Sequence, residues 1–92
     1  MEHKPLMSMS DGLEVTYSDL KDDGEKKFIT LYFEKPNNNR SGFDSAEVRY
    51  PGTMSFDNVK GFDKNTLNDL RTHAKKLAPL AYEFSLEDAK YA

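Results

Sequence analysis

The residue types that do chemistry are thinly spread in this chain. His73 follows Asp69 by four residues, which sets the two side chains one turn apart on a helix. An aspartate in that place can orient an imidazole for general-base work. No nucleophile stands at a readable spacing from the pair, so the plain reading is a boundary histidine beside a carboxylate. His3 lies far away in sequence, and two isolated histidines do not make a metal site. Asp19, Asp22, Asp23 and Glu25 crowd one short segment but lack the Asp-x-Asp-x-Asp-Gly spacing of a calcium loop. The glycines are scattered singly, and there is neither a phosphate-binding loop nor a Gly-x-Ser-x-Gly elbow. The chain has no cysteine, which excludes disulfides, thiolate metal sites and a cysteine nucleophile. Nothing here supports an enzyme, a cofactor or a metal centre.

Three groupings suit binding better. Asn38, Asn39 and Arg40 sit in a polar stretch over 35–45, and their side chains are good hydrogen-bonding readers. Phe28, Tyr32, Phe43 and Tyr50 are candidates for an exposed aromatic patch, since Tyr and Phe are enriched in interface cores. Lys64, Arg71 and Lys75 fall on one helical stripe with a basic bias. No aromatic is interleaved with that stripe for base stacking, and Asp63 and Asp69 dilute it.

These groups must be carried by an α+β scaffold. Leu67, Leu70, Ala74, Leu77, Ala81 and Phe84 recur at steps of three and four, placing all six on one side of a helix. Asp63 is its expected N-cap. Pro79 falls inside the stripe without breaking its phase, so one kinked helix is expected, fraying from Leu86 onward. Upstream, Leu13, Val15 and Tyr17 alternate with polar residues as a half-wet strand does. Asp23-Gly24 fits a type I′ hairpin turn. Residues 28–33 are apolar on both faces, Ile29, Leu31 and Phe33 on one and Phe28 and Tyr32 on the other, which marks a central strand. One helix covers one face only; the other face needs the N-terminal segment, the 35–45 loop or a second copy. Ala46, Val48 and Tyr50 give a third strand, Pro51-Gly52 a type II turn, and 53–59 a fourth strand with Met54 and Phe56 inward. The expected fold is an antiparallel meander of about four strands, with the C-terminal helix on one face and residues 13–92 as a single domain. Residues 1–12 read as a flexible leader without the apolar core of a signal peptide.

The 92 residues suffice for one core that buries roughly 60–65% of the unfolded surface. An aromatic content of 12% argues for a folded chain despite 32% charged residues. A net charge of −3 gives no overall attraction to nucleic acid or to an anionic membrane. The lack of cysteine fits a reducing cytosol. The expected function is a small non-enzymatic protein-binding or regulatory module, of a kind phages and mobile elements also encode. Its partner is another protein or a second copy of itself. The alternative is nucleic-acid binding through the Lys64, Arg71 and Lys75 stripe. No cofactor and no membrane are expected.

Overall fold

A computed structural model describes residues 3–36, 42–52 and 55–90. The element order is β1 (Lys4–Ser8), β2 (Glu14–Tyr17), β3 (Lys21–Asp22), β4 (Lys27–Pro36), β5 (Phe43–Tyr50), β6 (Phe56–Lys60) and α1 (Lys64–Lys90). The fold is α+β, an antiparallel sheet with one C-terminal helix on one face. Its strand order is β1-β2-β4-β5-β6, and β3 also pairs with β4. The sheet has two elements more than the four expected. One is β1: residues 4–8, read from sequence as part of a flexible leader, pair antiparallel with β2. The other is β3, which continues the path of β2 along β4. Tyr17 faces Leu31 and Lys21 faces Phe28, four positions against three, so a bulge at 18–20 divides one long strand in two.

Ser18 holds that bulge. Its amide donates to the Thr30 carbonyl, and its hydroxyl accepts the Thr30 amide. The Ser18 carbonyl accepts the Ser85 hydroxyl of α1 at 3.2 Å, with both serines fully buried. A backbone group turned out of the ladder is thereby satisfied by the helix.

Doubly apolar residues make β4 central, as expected. Leu13, Val15, Tyr17, Ile29, Leu31, Phe33 and Val48 form the core against Leu70, Ala74, Leu77, Ala78 and Ala81. Three fully buried alanines let α1 lie close on the sheet, where Leu31 and Phe33 fill the space. The predicted stripe is correct as far as Ala81 and then drifts. Ser85 turns inward while Phe84 remains 42% exposed.

Asp63 caps the helix as expected. The Thr66 amide donates to its Oδ1 at 2.7 Å, which holds that carboxyl below the usual range. Pro79 lies within a single 27-residue helix, on its exposed side, so the missing donor falls where water replaces it. The expected fraying from Leu86 is corrected: the helix runs to Lys90. Both turn expectations also change. Among Asp23, Gly24 and Glu25 only Gly24 has positive φ, the order of a type II′ turn and not I′. The Tyr50–Pro51 peptide is cis and Gly52 lacks the positive φ of a type II turn.

If the helix stripe supplies the core, Leu70→Ala costs about 2–5 kcal/mol in urea unfolding, whereas Leu80→Ala, 44% exposed, costs under about 1 kcal/mol. Equal costs for the two would contradict this packing.

Candidate functional site

The register assembles a surface that no single strand shows. On the helix-free face, one row across the sheet runs Pro5, Thr16, Tyr32, Glu47, Asp57. The next runs Ser8, Glu14, Glu34, Ser45, Lys60. Two carboxylate pairs are therefore directly opposed, Glu14 with Glu34 and Glu47 with Asp57. Like charges in directly opposed positions destabilise a sheet. Among the described residues none of the four joins an ion pair.

Tyr32 lies between these pairs. It is buried although no helix covers it, because the His3 ring stacks on it at 3.6 Å and 9°. Burial and the neighbouring Glu47 carboxylate push its phenol up. Beside it, the buried Thr16 hydroxyl has no hydrogen-bond partner. One position further along the face, the Arg49 guanidinium lies 4.3 Å above the Phe28 ring. Thr30, Glu47, Arg49, Asp57 and Asn58 line a polar hollow of about 310 Å³, and Asn58 has a left-handed φ of 53° beside the irregular β5–β6 pairing. The second apolar face of β4 is thus closed by the chain's own N-terminal histidine and one arginine.

The sequence-based candidates divide as follows. Phe28 and Tyr32 share this face, but both are buried. Phe43 lies opposite Pro36, eight positions from Phe28 along β4 or about 26 Å, and is 56% exposed. Tyr50 turns the other way and packs edge-on against Tyr82 of α1. The four aromatics therefore do not form one patch. Asn38, Asn39 and Arg40 lie outside the described residues. In the basic stripe, Lys64 and Lys75 are exposed. Arg71 is held over the Phe56 ring at 5.7 Å and donates to Asn68. Asp69 and His73 border a hollow of about 240 Å³ floored by Met9, Leu13 and Leu70. Lys35 at its edge is paired to Asp11 at 3.5 Å.

Two features escaped the sequence reading. The carboxylate rows carry only the weak signal of alternation, and their juxtaposition depends on register. A charge clasp joins β1 to the end of α1: Lys4 Nζ lies 2.7 Å from both Asp19 Oδ1 and Asp88 Oδ2. Those contacts, with Asp19 the stronger, hold the Lys4 ammonium above its usual range. Lys4 in turn holds the Asp19 carboxyl down. The clasp fixes β1 to the helix end, and β1 brings His3 over Tyr32.

Comparison with protein-family models, curated proteins and solved structures finds no match to this chain. Among the described residues no helix is long and apolar enough to cross a membrane, and no cluster of metal-binding side chains occurs.

Glu34→Gln and Glu47→Gln should each raise folding stability by about 0.2–1 kcal/mol at low salt, a gain that high salt erases. Denaturant unfolding at two ionic strengths measures it, and a loss of stability in both variants would contradict the repulsion. The clasp has the opposite signature. A depressed carboxyl contributes stability that is complete above its ordinary pKa of about 4 and is lost as pH falls through the lowered value. Lys4→Met should therefore unfold at lower denaturant than the wild type at pH 7, with the difference gone in strong acid.

Proposed function

We propose that this protein is a non-enzymatic protein-binding module whose helix-free sheet face receives a Lys/Arg-rich segment of another protein. The observation that carries this reading is the pair of directly opposed carboxylates on either side of Tyr32, Glu14 with Glu34 and Glu47 with Asp57, none of them in an ion pair among the described residues. An arrangement that costs stability in the free protein is relieved when a cation lies between the carboxylates. Arginine suits such a face because its planar guanidinium bonds carboxylates in pairs and stacks on aromatic rings. Arg49 already stacks this way on Phe28. A module that occupies a basic surface of its partner blocks whatever that surface otherwise binds, which gives a regulator.

The nucleic-acid reading has less support. Of its three cations, Arg71 is engaged by Phe56 and Asn68, which leaves Lys64 and Lys75.

Fluorescence anisotropy with a labelled arginine-rich peptide tests the proposal. Binding should weaken steeply with salt, and Glu34→Gln/Glu47→Gln should weaken it about tenfold or more, roughly 1.4 kcal/mol. Glu83→Gln/Glu87→Gln changes net charge equally on the helix and should leave affinity near the wild type. Equal losses in both double variants, or no binding at low salt, would overturn the reading.

A further inference from the structure

A second surface lies along the flank of α1, away from the acidic face. Leu80 and Phe84 are 44% and 42% exposed, large apolar side chains beside the stripe that the helix buries in the core. With Lys76 and Glu87, both exposed, they lie within about 80° of arc at 100° per residue. The row is polar at its ends and apolar in its middle. Its charges run in one sense, Lys76 toward the N-terminus and Glu87, with Glu83, toward the C-terminus. Beyond Phe84 an open groove follows, in which Leu20, Leu86 and Ala89 are rimmed by Lys27, Glu83 and Lys90.

We infer that this row is the self-association seam of the protein and that its occupant is α1 of a second copy, packed antiparallel. The pattern is its own complement in that orientation. A two-fold axis crossing the helices at position 82 places Leu80 of one copy against Phe84 of the other. The same register sets Lys76 opposite position 88 of the second copy, one residue beyond Glu87, so the lysine lands on that copy's acidic end. Parallel packing opposes Lys76 to Lys76 and Glu87 to Glu87. The isologous arrangement therefore satisfies the apolar and charged positions together, as a two-fold interface requires. Among the described residues only the weak contact of Glu87 with Lys90, at 3.9 Å, competes for the carboxylate. One helix pair buries less than the roughly 1,200 Å² of a standard interface, so the dimer is weak and depends on concentration.

Sedimentation equilibrium of the full chain, at concentrations rising to millimolar, tests the seam. The wild type should show a monomer–dimer equilibrium. Phe84→Glu should abolish the dimer, with circular dichroism confirming the fold, since Phe84 also touches Tyr17. Lys76→Glu and Glu87→Lys, both at exposed positions, should each weaken dimerisation about tenfold. The double variant Lys76→Glu/Glu87→Lys should restore it, because each copy then offers the reversed pair to the other. Glu34→Gln/Glu47→Gln should leave the dimer intact, which separates this result from peptide binding. A monomer at millimolar protein, a dimer indifferent to Phe84→Glu, or no restoration in the double variant would overturn the inference.

Discussion

β4 is apolar on both faces, and among the described residues a single helix is there to cover it. That mismatch organises the rest of the structure. On one side α1 descends onto Ile29, Leu31 and Phe33, admitted by Ala74, Ala78 and Ala81, which are fully buried. On the other side Phe28 and Tyr32 must be kept from water by something thinner than a helix. The chain uses two flat side chains, the Arg49 guanidinium and the His3 imidazole. His3 is in place because β1 pairs with β2 and because Lys4 is held by Asp19 and Asp88. The Lys4 clasp, next to His3 in sequence, therefore helps cover Tyr32. With the aromatics covered by side chains alone, the surrounding positions remain open to solvent, and four of them are carboxylates.

The edges of the sheet are poor docking places, which directs attention to its faces. β1 carries Lys4 and Pro5 and an irregular register between Pro5 and Met7. β6 has an irregular register opposite Ser45–Glu47 and a left-handed Asn58. Charge, proline and bulges are the usual means by which an edge resists a further strand. A face, by contrast, can be recognised without rebuilding any ladder. The row of Leu80 and Phe84 lies on the flank of α1, off the acidic face, so the proposed dimer would leave both acidic faces free and make the assembly bivalent.

Much of the scaffold was legible because it rests on periodicity. The helix, its Asp63 cap and the central position of β4 each come from a spacing within one segment. What was missed depends on distant partners. β1 contains Lys4, Pro5 and Ser8, and only its ladder with β2 and the clasp to a carboxylate 84 positions away make it a strand. The division of β2 from β3 rests on Ser18 and Ser85, small polar residues whose role appears only when the helix is laid on the sheet. The drift from Phe84 to Ser85 follows from the same bond, which draws the last turns of α1 toward Ser18. The carboxylate rows were invisible for a related reason. Glu14, Glu34, Glu47 and Asp57 are each an ordinary outward residue of a strand, and only the register opposes them.

On the proposed function, a cationic partner lands on the helix-free face, with its opposed carboxylates around Tyr32. The most direct measurement is an amide chemical-shift titration of the isotope-labelled protein with an arginine-rich peptide. Perturbations should track together along β2, β4, β5 and β6, centred on Glu14, Thr16, Tyr32, Glu34, Glu47 and Asp57, with α1 largely unmoved. Perturbations confined to the outer turns of α1, or spread evenly over every exposed carboxylate, would contradict it.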